Sequence, residues 1–269
     1  MFQGGAELLE DDQGGDIDDA LLEVDMAHIG AMKQVYDHVT NSFPLTLGKS
    51  VSKKDREEQG KKETNLVYGE VSFEAFGIIM EKIIKVYGRQ DVGASGPYGV
   101  LQGRGGTFYD LGAGAGKAVC AAAILHNFDQ CTGIECLEGL YSLSLELLAS
   151  YNTRGKTKLE DREFDTHCSF LYGSFLDMSV RDWRDGDLVF ANSTCYDDEL
   201  MANIADLALG MKKGSFFVSF TKRLASTDFQ IVDHEMYKMS WGEVTVYIMQ
   251  KMTDPKESKF ALEKEGDDE

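Results

Sequence analysis

Apolar positions along the chain follow two different rhythms. Before residue 100 they recur at helical spacing. Val24, Ile29, Met32, Val35, Tyr36 and Val39 mark one helix, which should end before Phe43-Pro44 because the residue preceding a proline is pushed out of the α region. Phe73, Phe76, Ile79, Met80 and Ile83 mark a second helix with one apolar face. Lys49–Lys62, between them, is polar and charged and reads as a loop. The glycine-rich stretch Gly88–Gly106 reads as a flexible connector.

From Thr107 onward, short apolar runs alternate with helical stretches. Strands are predicted at Thr107–Asp110, Gln130–Glu135, His167–Tyr172, Asp187–Ala191 and Ser215–Phe220. Helices are predicted at Lys117–Asn127, Leu137–Asn152 and Asp197–Leu209. The final portion, Phe229–Lys251, alternates like a hairpin around Met239–Gly242. Repeated strand–helix units require a mostly parallel sheet covered on both faces. The expectation is an α/β, Rossmann-like fold of seven strands with a C-terminal antiparallel hairpin and a small helical N-terminal appendage. The chain then divides into an acidic tail (1–23), a helical segment (24–100), the α/β domain (101–252) and a second acidic tail (253–269).

Composition changes this picture only at the ends. The net charge is −19, but residues 1–25 hold nine acids and no base, and residues 254–269 hold seven acids against three lysines. The middle keeps 30 acids and 24 bases, a net of about −6. Both ends are expected to be solvated and disordered. So acidic a chain has no general grip on phosphate backbones, and a basic protein suits its field better than a nucleic acid. The five cysteines lack the paired spacing of a zinc site, so no metal is expected and they read as core thiols of a reducing compartment. No apolar run of membrane-spanning length is visible, and an intracellular, monomeric protein is expected.

The strongest chemical signal is Asp110-Leu111-Gly112-Ala113-Gly114-Ala115-Gly116-Lys117, set between a strand and a helix. Alternate glycines let the backbone turn sharply and approach a ligand at a helix N-terminus. A P-loop would need a glycine at Leu111 and a Ser or Thr at Ala118, and a dinucleotide fingerprint would need a glycine at Lys117. What stands instead is an acid before the first glycine, with a second acid, Glu135, 25 residues on at the end of the next strand. Asp110 can meet the amino group, and Glu135 the ribose hydroxyls, of S-adenosyl-L-methionine. The fourth strand ends in Phe190-Ala191-Asn192-Ser193-Thr194-Cys195-Tyr196, which places Asn192 beyond the strand ends, where ligands lie in open α/β sheets. Asn192 is also a candidate helix cap. Ser174 and Phe175 follow the third strand, where the adenine is expected.

Together these pieces resemble the Dot1 family of protein lysine methyltransferases over most of residues 66–250. Tyr68–Phe73, in the pattern Tyr-Gly-Glu-x-Ser-Phe, is similar to the segment that closes over the methionine end of the cofactor in that family. Asp110–Gly116, Gly133–Glu135, Gly173–Leu176, Phe190–Tyr196 and Ser240-Trp241 are similar to its glycine loop, ribose acid, adenine segment, channel motif and late channel element. The resemblance implies a class I methyltransferase fold and cofactor contacts from Tyr68, Glu70, Asp110, Gly112, Gly114, Gly116, Lys117, Glu135, Ser174, Phe175 and Asn192. It implies catalytic roles for Asn192, Tyr196 and Trp241, with Phe220 as a further channel candidate. Lys117, Ser174, Ser193, Thr194 and Tyr196 depart from the family pattern. A protein lysine acceptor is expected, histone or otherwise. A small-molecule or other-nucleophile methyltransferase and a non-catalytic cofactor-binding scaffold stand as alternatives, the first signalled by a wide lidded pocket, the second by binding without transfer.

Overall fold

The computed structural model describes residues 24–60, 66–89, 101, 103–159, 165–239 and 241–260. Residues 1–23 of the acidic tail, most of the glycine-rich connector and Ser240 lie outside the described residues.

Seven strands form one sheet in the order β3-β2-β1-β4-β5-β7-β6. They are β1 (Thr107–Leu111), β2 (Gln130–Glu135), β3 (His167–Tyr172), β4 (Leu188–Ala191), β5 (Phe216–Phe220), β6 (Phe229–Met239) and β7 (Gly242–Lys251). β1 to β5 are parallel, and β7 returns antiparallel between β5 and β6. This is the Rossmann-like class I methyltransferase arrangement, mostly parallel with an antiparallel C-terminal pair. The central strands β1, β2, β4 and β5 are buried on both faces, as strands of a covered parallel sheet must be, whereas the edge strands β3 and β6 are partly exposed. On β1, Phe108 joins one core, while Tyr109 and Leu111 join the other.

The first core is covered by α1 (Met26–Thr40), α3 (Phe73–Lys85), α4 (Lys117–Leu125) and α5 (Glu138–Ser150). The second is covered by α6 (Asp198–Leu207) and the loop carrying Trp183, whose indole donates to the Phe175 carbonyl at 2.8 Å. Caps set several helix starts: Asp25, Ser72 and Asp197 accept from the backbone of α1, α3 and α6 respectively.

Two sequence expectations are corrected. Lys49–Lys62 is not a loop in its described part, because α2 runs Leu45–Glu58. Its buried face consists of Gly48, Ser52 and Asp55 instead of apolar side chains, so hydrophobic periodicity could not reveal it. Asp55 accepts a hydrogen bond from the Gly139 amide at 2.7 Å and so docks α2 on the start of α5. The second acidic tail is also not free along its described length. Thr253 and Lys256 bond Asp228, and the Ser258 hydroxyl and the Phe260 amide bond Asp206 at 2.6 and 2.8 Å, which holds residues 253–260 on the body.

Candidate active site

β1 pairs with β2 on one side and β4 on the other, so the sheet's topological switch lies between β1 and β4, where open α/β sheets bind ligands. A cavity of about 640 Å³ opens there, beyond the carboxyl ends of these strands. Every residue assigned to the site from sequence lines it except Gly116 and the channel candidate Phe220.

Gly112 and Gly114 have φ of +84° and +55°, the left-handed region that other residues enter only with strain. There is no space for side chains either: a Cβ on Gly114 would lie 2.5 Å from the Tyr68 ring, and one on Gly112 would collide with the Tyr196 hydroxyl. The loop thus presents bare backbone to the cavity. Gly116 has a different job, since a Cβ there would strike the ring of Phe170 beneath α4; it is a packing glycine.

Two carboxylates face the cavity. Glu135 is fixed by two amides, Leu137 at 2.8 Å and Gly114 at 2.7 Å, which leaves further lone pairs for a ligand. Burial nevertheless holds its pKa above the ordinary value. Asp110 is 3% exposed, and among the described residues no group donates a hydrogen bond to its carboxylate. Burial, and secondarily the charge of Glu135, push its pKa up to about 8. A buried carboxylate without a protein partner suits a cationic ligand group.

The segment before α3 closes one wall. The Tyr68 hydroxyl donates to Glu70 Oε1 at 2.6 Å, and Lys117 Nζ pairs with Glu70 Oε2 at 2.7 Å, tying the segment to the first residue of α4. Burial, and then the charge of Glu70, hold the Tyr68 phenol protonated well above its ordinary range. Asn192 Nδ2 donates to the Gly69 carbonyl at 3.0 Å, its Oδ1 accepts from the Thr194 hydroxyl at 3.3 Å, and the Trp241 ring lies over Gly69. Asn192 is therefore not a helix cap; Asp197 caps α6.

Of the proposed channel aromatics, Phe220 lies outside the cavity, and Tyr196 lines it but is turned to the glycine loop. Phe220 is fully buried, edge-on to Phe190, and is a core residue. Tyr196 stacks on Phe175 at 5.9 Å and donates its hydroxyl to the Leu111 carbonyl at 2.8 Å, bracing the underside of the glycine loop. Its phenol, like that of Tyr68, is held protonated by burial. Sequence reasoning missed the wall supplied by α2, where Lys49, Ser52, Lys53 and Arg56 line the cavity. Among the described residues, no cluster of three His, Cys, Asp or Glu side chains could hold a metal, and no helix is long and apolar enough to cross a membrane.

The family described as "Histone methylation protein DOT1" matches residues 100–253, more than half of the chain. The chain belongs to this family. With the Dot1 family comes S-adenosyl-L-methionine as cofactor, and the chain is a class I methyltransferase. The residues present fit that ligand: Asp110 would meet the amino group and Glu135 the ribose, the Gly112–Gly114 backbone would allow close approach, and Phe175 with Ser174 lines the remaining wall.

One solved structure shares the fold, and two others match less closely. The rRNA methyltransferase AviRa of Streptomyces viridochromogenes superposes with a TM-score of 0.51 at 11% identity, over 69% of this chain and 87% of its own. TrmN of Thermus thermophilus gives 0.44 at 16% identity, over 56% and 46%. The precorrin-6y C5,15-methyltransferase of Geobacter metallireducens gives 0.40 at 13%, over 56% and 83%. No curated protein matches the sequence.

Proposed function

We propose that this Dot1-family enzyme methylates the side-chain amine of a lysine in a protein. The reading is carried by the end of the cavity around Asn192, where Tyr68, Val71, Phe190 and Trp241 supply an apolar enclosure with, among the described residues, no carboxylate beyond Glu70, which Lys117 already neutralises. The bound cofactor supplies an electrophilic methyl group to an in-line displacement. A lysine must be neutral to attack, and an apolar enclosure favours its neutral form by desolvation. Asn192 does not titrate in the working range, so it orients by hydrogen bonding instead of taking the proton. Its bond to Gly69 sets the closing segment against Trp241, which fixes the approach and excludes water. A partner with a basic surface fits the chain's overall charge of −19.

A second reading, a small-molecule acceptor, is favoured by the cavity volume of about 640 Å³ and by Thr194 and Cys195 on its wall, where the family pattern has apolar residues. Labelled-cofactor transfer into fractionated cell extract, beside recombinant nucleosomes and free histones, separates the two. Methyllysine in the acid hydrolysate of a protein band is expected. Label confined to the low-molecular-weight or RNA fraction would overturn the lysine reading.

A further inference from the structure

The charges around the cavity do not balance. Among the described residues, three acids and four bases line it. Glu70 and Lys117 neutralise one another, and Asp110 and Glu135 would face the cofactor's amino group and ribose. Lys49, Lys53 and Arg56 remain, at positions i, i+4 and i+7 of α2, so they form one stripe about 10 Å long on a single wall of the mouth. Their own partners are weak. Lys53 approaches only Glu57, at 3.8 Å with both side chains largely exposed; Arg56 Nε reaches the Ser52 carbonyl at 3.4 Å; Lys49 has no ion pair among the described residues. The helix is nonetheless held firmly, by Asp55 on the Gly139 amide and by the Ser52 hydroxyl on the Leu66 carbonyl at 3.2 Å. In a chain of net charge −19, this is a local reversal of sign at the site itself.

We propose that Lys49, Lys53 and Arg56 bind a short acidic segment of the acceptor protein, so that the lysine to be methylated lies beside aspartate or glutamate residues. This rests on the protein-lysine reading above and names the sequence context it requires. The stripe's length suits two or three carboxylates. A nucleic-acid backbone needs a longer basic track, and here it would meet the exposed Glu57, Glu58 and Glu138 at the stripe's borders. Rim charges act on encounter and on discrimination between partners more than on the chemical step. An overall basic partner is thus drawn in by the acidic body, while the stripe selects which of its lysines can dock.

The test uses the full chain saturated with S-adenosylhomocysteine and three fluorescent peptides of equal length. Each has one central lysine, flanked by glutamates, serines or arginines. The glutamate peptide is expected to bind at least about tenfold more tightly than the arginine peptide at low salt. The order should invert in K49E/K53E/R56E and collapse to within about twofold in K49Q/K53Q/R56Q, the milder variant guarding against helix loss. The urea-unfolding midpoint reports that α2 and the fold are intact and should stay close to wild type in both. An unchanged order in both variants would overturn the proposal, as would a single-stranded oligonucleotide of equal charge binding more tightly than the glutamate peptide. Failure of the lysine reading looks different: label from extract falls outside lysine while the glutamate peptide still binds through the stripe.

Discussion

The glycine-loop end of the cavity is largely backbone from one continuous turn, Asp110–Lys117, with Glu135 from the neighbouring strand. The Asn192 end is assembled from side chains distant in sequence: Tyr68 and Gly69 before α3, Asn192 after β4, Trp241 in the turn of the hairpin, and the α2 stripe. The first end depends on conformations that few residues can adopt, and one substitution there disturbs everything. The second depends on packing between elements, so its residues can change while the fold persists. That difference suits a family pattern kept through Asp110–Gly116 and Glu135 and altered at Ser193 and Thr194, while the departures at Lys117, Ser174 and Tyr196 are side chains around the backbone loop and not the loop itself.

The largest effect is expected at the backbone end. Gly114→Ala forces a Cβ into a left-handed position and onto Tyr68, and cofactor affinity should fall at least about 100-fold in calorimetric titration. Affinity within threefold of wild type would mean that the loop is not the close-approach surface.

Next in size is the effect of pH. In the free protein Asp110 is raised to about 8, so near neutrality it holds a proton that it must give up to face an ammonium group. Cofactor affinity should therefore rise with pH up to about 8, and fall about tenfold for each unit below it. Because the folded pKa lies above the ordinary value of 3.8, the ligand-free fold loses stability as pH climbs through the same window. Asp110→Asn should flatten the binding profile, and a steep profile in that variant would assign the titration to another group.

A smaller effect is expected where the two ends meet. Glu70→Gln removes the charge that pairs with Lys117 and leaves one acceptor oxygen where Tyr68 and Lys117 had two, and should weaken cofactor binding about fivefold, with an increase in off-rate seen by stopped flow. The smallest concerns Tyr196. Tyr196→Phe leaves the Leu111 carbonyl unpaired and should cost about 1 kcal/mol in urea unfolding, with transfer to protein little changed. Unchanged stability with a large loss of transfer would return Tyr196 to the acceptor channel, where the sequence motif put it.

β1 to β5 were legible because each carries a short apolar run bounded by turn residues, β6 and β7 because of their alternation, and the glycine loop because its constraint is local. The hairpin turn predicted at Met239–Gly242 falls between β6 and β7 as observed. α2 was hidden because its buried face is Gly48, Ser52 and Asp55, which a hydrophobic pattern does not register. Gly116 and Tyr196 were seen as site residues, but their partners, Phe170 and the Leu111 carbonyl, are set by tertiary packing. The Lys117–Glu70 pair spans 47 positions, so Lys117 looked like an isolated departure from the family until its counter-ion was placed beside it.

The separation of the two ends is tested most directly at Asn192. Cofactor binding and methyl transfer into the extract protein fraction should be measured together on wild type and Asn192→Ala. The account predicts cofactor affinity within about threefold of wild type and transfer reduced at least about 30-fold. Loss of both in parallel would mean that Asn192 serves the cofactor, and unchanged transfer would mean that the acceptor end has been misplaced.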